Sequence, residues 1–156
     1  MTFEVFTYNP GDVILTIGSY QVRGWDEISI ERITKSFRLV KGIRGKHTRI
    51  KDSDTSAILT ISLMQVSPSN DVLSEIHRLD LIEGTGRIEL SLDDKSGNSS
   101  FSSAEAFIEG YPRKVFKDSI EYVVWTIQCQ STDDFLVGGN SRPDNALINE
   151  AIKLFQ

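Results

Sequence analysis

The stretch from Leu59 to Leu73 constrains the fold more than any other part of this sequence. Its first half alternates apolar and polar residues, which is typical of a half-buried β-strand. Pro68 must follow the end of that strand, because it has no N–H to donate to a neighbour, and it suits the first position of a helix. Ser67 is the expected helix N-cap, with Asn70 as a second candidate. The sequence therefore predicts a strand, a sharp corner and a helix.

The predicted helix runs from about Pro68 to Leu81, and the glycines that follow are typical of a helix end. Asp71 places a negative charge near the positive start of the helix. An apolar stripe at helical spacing predicts its buried face: Val72, Leu73, Ile76 and Leu79. Four residues make up the expected strand-to-helix corner: Ser67, Pro68, Asn70 and Asp71.

Most of the remaining chain has the pattern of β-strands separated by turn residues. The predicted strands are Val13–Ile17, Tyr20–Val22, Glu27–Glu31, Phe37–Val40, His47–Lys51, Ser56–Gln65, Ile88–Leu92, Phe101–Glu109 and Ile120–Gln130. On the long strand, Ile58 and Met64 indicate that its second face is partly covered too. The predicted fold is mainly β (β+α): an antiparallel β-sandwich or barrel of roughly eight strands with one central helix and a C-terminal helix.

The last residues of the chain have a helical pattern of their own. A stripe at helical spacing predicts a helix over Ala146 to Phe155: Leu147, Ile148, Ala151, Ile152 and Phe155. We expect residues 1–140 to form one β-domain and residues 141–156 to form a helical extension. A chain of 156 residues is long enough for one such core.

Charge is unevenly distributed along the chain. The formal net charge is −5, which argues against broad nucleic-acid binding. The segment from Arg32 to Lys51 contains eight Lys or Arg and no Asp or Glu, which leaves nine basic and 22 acidic residues elsewhere. Two interpretations fit this segment: a solvated hairpin without a role, or a contact patch for an acidic surface, including that of another copy.

Composition disfavours several classes of protein. No apolar run approaches the ~18 residues of a membrane span, and the first residues lack the basic and apolar regions of a signal peptide. The single cysteine, Cys129, gives no internal disulfide and fits a reducing cytoplasm. Two histidines and one cysteine cannot build an all-His/Cys zinc site within one chain. We expect no membrane anchor and no metal.

No catalytic constellation is visible in the sequence. His47 lies in the basic segment and His77 on the helix, neither beside a nucleophile and a carboxylate, and there is no G-x-S-x-G motif. The Asp52–Asp54 run lacks the glycine and the glutamate of a calcium loop. A Ser-His-Asp assembly from distant residues stays open. We expect neither catalysis nor a cofactor, and interpret the chain as a self-assembling or partner-binding protein.

Four stretches resemble, in the right order, the tail-tube proteins of contractile-tailed bacteriophages. The run from Leu63 to Leu73, with Ser-Pro-Ser-Asn-Asp after a strand, is similar to the family's signature. The other three are Tyr8 to Gly18, Thr48 to Ser56 and Phe135 to Asn140. The chain departs from the family pattern after Arg23, in the more basic connector from Lys41 to Lys46, and in the extension after Asn140.

The resemblance implies a fold and a task. Tail-tube subunits form hexameric rings whose strands line a continuous β-barrel, and the rings stack inside a contractile sheath into a channel for the genome. It implies stacked rings of this chain in a virion tail, assembled in the host bacterial cytoplasm. The implied partners are sheath, tape-measure and baseplate proteins, with phage DNA passing through the lumen without specific binding.

Charge and the resemblance together place two surfaces. We expect the basic segment to reach the acidic face of the next ring through inter-ring or inter-subunit contacts: Arg38, Lys41, Arg44, Lys46, Arg49 and Lys51. Thr60 and Ser62 on the long strand are expected to face the lumen. A neutral or acidic wall there lets DNA phosphates slide past instead of binding.

Other assignments remain open from the sequence alone. The chain could have a different structural role in the same particle, such as a tail terminator or a sheath-associated protein. It could also form the tube of a phage-derived injection or secretion device. A free-standing enzyme or a small-molecule-binding β-barrel is a third hypothesis.

Overall fold

A computed structural model describes residues 5–140 and Leu154 of this protein. Apart from Leu154, the predicted C-terminal helix and the predicted helical extension lie outside the described residues. Both therefore stay predictions. The described part contains ten strands, one α-helix and a short 3-10 turn at Pro10–Asp12. The elements are β1 (Val13–Ile17), β2 (Tyr20–Gln21), β3 (Trp25–Arg32), β4 (Phe37–Lys41), β5 (His47–Lys51), β6 (Ala57–Met64), α1 (Ser69–Glu83), β7 (Ile88–Asp94), β8 (Ser100–Ile108), β9 (Tyr122–Cys129) and β10 (Asp134–Leu136).

Eight of the ten strands form one antiparallel sheet in the order β2-β1-β7-β8-β9-β6-β3, with β10 added on β8. The first residues of β8 pair with β10, its last residues pair with β9, and β7 runs along its other edge. Within the described chain, β4 and β5 pair only with each other, as a separate two-stranded sheet. The predicted mainly β, antiparallel fold with a central helix is confirmed.

The core follows from alternation along the strands. In β6, Ala57, Leu59, Ile61 and Leu63 are fully buried, while the residues between them are half-buried. The sheet curls, so that inward side chains from both of its halves meet in one cluster that includes Leu15, Ile17, Leu90, Leu92, Leu59, Ile61, Trp125 and Ile127. Burial of this apolar surface is the main force that stabilises the domain.

The helix α1 packs against β8 and begins one residue later than predicted. Pro68, not Ser67, occupies the N-cap position. The predicted N-cap and the predicted first helical residue are therefore each wrong by one residue. At the other end, Gly84 adopts a left-handed conformation with φ of 70°, and its N–H donates to the Asp80 carbonyl at 2.8 Å. Glycine suits that position because it has no Cβ to clash there.

The buried face of α1 agrees with the predicted stripe only in part. Leu73 is fully buried and Ile76 packs against the core as expected, whereas Leu79 is 37% exposed. The other buried residues of the helix are Ser69 and His77, and their spacing of four residues from Leu73 places all three on one face. The hydroxyl of Ser69 is hydrogen-bonded to Arg23, as described below.

All nine predicted strands are present, with ends that shift by a few residues. β10 is the strand that the sequence pattern did not reveal. It has three residues and pairs Asp134 through Leu136 with Ser102 through Ser100 of β8. A strand this short has too few residues to show an alternating pattern, so only its pairing partner defines it.

The strand β6 defines two ends of the domain. At one end, Ala57 pairs with Arg32 and Cys129, next to the base of the β4–β5 hairpin; we call this the hairpin end. At the other, Met64 pairs with Tyr122 and leads into the strand-to-helix corner; we call this the corner end. Eight strand residues separate the ends by about 25 Å.

Truncation of β6 on its two faces should have unequal effects. Ile61→Ala removes a fully buried side chain and should lower the free energy of unfolding by about 2–5 kcal/mol. Ile58→Ala, on the half-buried outer face of the same strand, should cost about 1 kcal/mol or less. Urea unfolding of the two variants measures both changes, and equal losses would contradict the inward orientation of Ile61.

Candidate interaction surfaces

The β4–β5 hairpin stands apart from the main sheet, and its two faces differ. Residues that lie directly opposite each other share a face, since side chains alternate along a strand. The register therefore places on the first face Phe37, Leu39, Lys41, His47, Arg49 and Lys51. The second face carries Arg38, Val40, Thr48 and Ile50. Cations and apolar groups are thus combined on the first face.

All six predicted contact residues lie on this hairpin. Arg38, Lys41, Arg49 and Lys51 lie on its strands, and Arg44 and Lys46 lie in the connecting turn. Each is exposed, and within residues 5–140 none of the six forms a salt bridge. The Arg49 guanidinium lies over the Phe37 ring, 4.3 Å from its centroid, in a cation–π contact.

The hairpin also exposes large apolar side chains. Phe37 is 44% exposed, Leu39 68%, and Ile43 at the tip is fully exposed. A two-stranded hairpin is marginally stable in water by itself. Exposed apolar groups on a hairpin that pairs with no other described strand make it a candidate contact surface.

The base of the hairpin is tied firmly to the main sheet. Asp54 accepts hydrogen bonds from Ser56 N at 3.0 Å and from the Thr34 hydroxyl at 2.8 Å, across the two segments that lead into the hairpin. The bonds from Ser56 and then from Thr34 lower the pKa of Asp54 below its ordinary value. Beside them, Thr132 bonds to the Thr55 carbonyl through its N–H and its hydroxyl.

The outward-facing residues of β3, β6 and β9 form a second surface, which we call the outer wall. Thr60 and Ser62 lie here, half-buried, and pair with Ser29 and Glu27 of β3. The outer wall consists of Glu27, Ser29, Glu31, Ile58, Thr60, Ser62, Met64, Tyr122, Val124, Thr126 and Gln128. None of these side chains is a lysine or an arginine.

The outer wall changes character along its length. Towards the hairpin end it is mainly polar, with Thr60, Thr126 and Glu31 around the half-buried Ile58. At the corner end it becomes apolar, with Met64 40% exposed, Tyr122 52% and Val124 50%. We call these last three residues the corner patch. The signal for this patch in the sequence was the presence of apolar residues on both faces of β6 and β9.

The strand-to-helix corner is held by side-chain hydroxyls. Ser69 Oγ donates to the Arg23 carbonyl at 3.1 Å and accepts from Arg23 N at 2.9 Å, with Tyr20 Oη at 3.0 Å. Ser67 Oγ donates to the same carbonyl at 2.5 Å and accepts from Ser69 N. These bonds join the corner to the turn between β2 and β3. These partners, Tyr20 of β2 and Arg23 of the turn, were not predicted.

Asn70 links the corner to the core. Its side-chain amide donates to the carbonyls of Met64 at 3.0 Å and Ser67 at 3.2 Å, and its oxygen accepts from Trp125 Nε1 at 2.9 Å. Because the indole can only donate, this arrangement fixes the orientation of the amide. Asp71 is exposed in the first turn of α1. Ser67, Pro68, Asn70 and Asp71 all lie between the end of β6 and the first turn of α1.

Side chains that could perform chemistry are dispersed. His47 is exposed on the hairpin, and His77 is buried on α1 with its ring edge-on to Tyr111 at 4.6 Å. Burial raises the pKa of the Cys129 thiol, and a hydrogen bond with Ser103 counters part of that effect. Residues 5–140 contain no group of three or more His, Cys, Asp or Glu that could hold a metal ion. Among the described helices, none is long and apolar enough to cross a membrane.

A cavity of about 270 Å³ lies between α1 and the segment that joins β8 to β9. Its lining consists of Asn70, Asp71, Ser74, Tyr111, Pro112, Lys114, Val123 and Trp125. Asn70 and Trp125 are already hydrogen-bonded to each other, so their polar groups are not available to a ligand. The extended surfaces described above are the stronger candidates for function, because they contain all of the predicted contact residues.

Comparison with known proteins assigns the chain to a family. No protein-family model matches it. Structural protein ORF10 of Pseudomonas phage KPP10 is 33% identical over 153 residues, which cover 91% of this chain and 88% of the phage protein. The chain therefore belongs to the family of phage structural proteins that includes ORF10. The description of that relative as structural agrees with the expectation of a non-catalytic role.

Two solved structures share the fold. A chain in the cap of the anti-feeding prophage, which terminates the tube, matches with a TM-score of 0.56 and 15% identity over 87% of this chain and 96% of that chain. A chain in the sheath/tube terminator of the PVC extracellular contractile injection system, in its extended state, matches with a TM-score of 0.53 and 13% identity over 86% and 98%. At these identities the likeness shows the fold alone.

Substitution of Gly24 tests the closeness of the corner contact. Gly24 has φ of 71°, and an added Cβ would lie 2.8 Å from Ser67 Cβ. Gly24→Ala should therefore lower the free energy of unfolding by two contributions. Placing an alanine in the left-handed conformation costs ~1–2 kcal/mol, and displacement of the corner adds to that cost. Gly18→Ala is the matched control, because Gly18 has φ of 62° but nothing within 4 Å. Chemical denaturation should show the larger loss at Gly24, and equal losses would argue against the contact.

Proposed function

We propose that this chain is a ring-forming structural subunit on the axis of a contractile phage tail, where it ends the tube as a terminator or cap. The observation that carries the proposal is the β4–β5 hairpin, whose exposed cations and apolar side chains have no partner among the other described strands. Such a hairpin is stable when a neighbouring subunit covers it. In this role it supplies the inter-ring or inter-subunit contacts.

The fold comparisons support the terminator in preference to a tube subunit. Both matched chains come from assemblies described as a tube-terminating cap or a sheath/tube terminator, and each match covers nearly the whole of the matched chain. The phage relative supports a place in the virion. A terminator contacts the last ring of the tube and the sheath, so we expect sheath and tube subunits as partners.

A tube subunit is the second candidate, and the outer wall favours it. In stacked hexameric rings, the surface of each subunit that we call the outer wall would face the lumen. Thr60 and Ser62 would lie near the middle of that surface. Glu27 and Glu31 on the outer wall would repel DNA phosphates, and the outer wall has no lysine or arginine that would bind the phosphates. Under this candidate the tube conducts DNA into the host, with tape-measure and baseplate proteins as further partners.

Sheet edges support self-assembly under either candidate. β3 pairs with β6 along one side, and its other edge is free of described strands. Proteins protect such edges by closure or by pairing with a neighbour. A ring of subunits supplies that neighbour, and no catalytic step is needed for the role. A phage-derived injection device would use the same contacts, and assembly in the host cytoplasm fits the free buried thiol of Cys129.

Negative-stain microscopy of the purified protein tests the proposal. We expect hollow rings, because the exposed hairpin and the free edge of β3 both need neighbours. Single rings that stay single would support the terminator, and stacked rings or tubes would support the tube subunit. Light scattering on the same sample measures the mass of the particle. Compact monomers at every concentration, both alone and after other tail proteins are added, would contradict both candidates.

Charge reversal on the hairpin tests its part in assembly. Arg44→Glu, Lys46→Glu and Arg49→Glu combined should abolish contacts between subunits or rings at low salt, since attraction to an acidic neighbour becomes repulsion. The fold should survive, because these side chains are exposed and lie outside the core. Sedimentation of assembled particles measures the effect.

The corresponding triple substitution by Gln is the control. It removes the attraction without adding repulsion, so it should weaken assembly less than the Glu variant. Unfolding midpoints should agree among all three proteins. Normal assembly of the Glu variant at low salt would show that the cations of the hairpin do not contact an acidic neighbour.

A further inference from the structure

We propose that the first face of the hairpin in one copy docks on the corner patch of a second copy, in a head-to-tail contact. This inference rests on the proposed function, because it requires self-assembly, and it names the surface that receives the hairpin. The occupant is a second copy of this chain. The contact joins the hairpin end of one subunit to the corner end of the next.

Apolar character matches on the two surfaces. Phe37 and Leu39 lie on the first face of the hairpin at alternate positions, so they present a continuous apolar strip. On the receiving side, Met64 lies directly opposite Tyr122, and Val124 is the next outward residue of β9. Diagonal neighbours on one sheet face are within reach of each other, so these three side chains form one exposed cluster.

Charge also matches. The first face of the hairpin carries Lys41, Arg49 and Lys51 beside its apolar strip. The corner patch borders Glu27, which pairs with Ser62 on the same outer wall, and the exposed Asp26 of the same strand. A strip of apolar groups with cations at its margin therefore meets an apolar cluster with carboxylates at its margin.

The geometry of the subunit favours a second copy over an internal contact. The base of the hairpin and the corner patch lie at opposite ends of β6, about 25 Å apart. Hydrogen bonds at Asp54 and Thr132 hold that base to the main sheet. A contact between unlike surfaces of identical subunits repeats, and it closes into a ring or continues as a stack according to its rotation.

A lysine scan of three outward residues tests the docking. Val124→Lys in the corner patch and Leu39→Lys on the hairpin should each reduce the assembled fraction at least tenfold, because each buries a charge in an apolar contact. Phe107→Lys is the matched control: Phe107 is 41% exposed and pairs with Gln128 of β9, away from the corner patch. It should assemble like the wild type. All variants should keep the wild-type unfolding midpoint.

Mixing of two variants, each with one introduced cysteine, locates the contact. Leu39→Cys protein mixed with Val124→Cys protein should form a crosslinked dimer under mild oxidation or with a short bifunctional maleimide. Leu39→Cys mixed with Phe107→Cys should not. The native Cys129 is 1% exposed and does not compete. Only contacts between copies can join the two variants.

The outcomes separate the inference from the proposed function. The head-to-tail contact would be overturned if Val124→Lys assembled as the wild type does. It would also be overturned if Leu39→Cys crosslinked equally to Phe107→Cys and to Val124→Cys. Either result would leave the ring-forming role intact. Assembly only after another tail protein is added, with no crosslink between copies, would also overturn it. A wild-type protein that stays monomeric alone and with tail proteins would overturn both.

Discussion

The arrangement of this domain depends on the hydroxyls of Ser67 and Ser69, which both reach the carbonyl of Arg23. That carbonyl lies in the turn before β3, so the bonds fix the turn, the end of β6 and the start of α1 relative to one another. Ser69 itself is buried on the same face of the helix as Leu73 and His77. Asn70 then extends the same network to Trp125 in the core. The corner therefore sets where the helix leaves the sheet, and with it the shape of the corner end.

The strands could be read from the sequence because their signal is local. Alternation along Leu59, Ile61 and Leu63 predicts both the strand and its buried face, and the described structure agrees. The corner could be located from Pro68, but its partners could not be found, because Arg23 is 44 residues from Ser67 and no local pattern links them. The burial of Ser69 was missed for the same reason, since its partner Arg23 is 46 residues away.

The hairpin surface was easier to predict from the sequence than the corner patch. The basic segment from Arg32 to Lys51, which has eight Lys or Arg and no Asp or Glu, marked the hairpin as a candidate surface, and its six predicted contact residues are all exposed. The corner patch was visible only as apolar residues on the second face of β6, because exposure depends on what the rest of the fold leaves uncovered. Family membership now places the chain among phage structural proteins, and the likeness to cap and terminator chains shows a shared fold.

The firmly tied base of the hairpin has a mechanical consequence. Asp54, Thr34 and Ser56 join its two arms, and Thr132 fastens the second arm to the segment after β9. A pull on the tip therefore reaches the end of β6 without passing through a loose joint. Along the axis of β6 this pull acts as shear on the ladders with β3 and β9, where many hydrogen bonds share the load and must break together. The arm can thus transmit force into the ladders that β6 forms with β3 and β9.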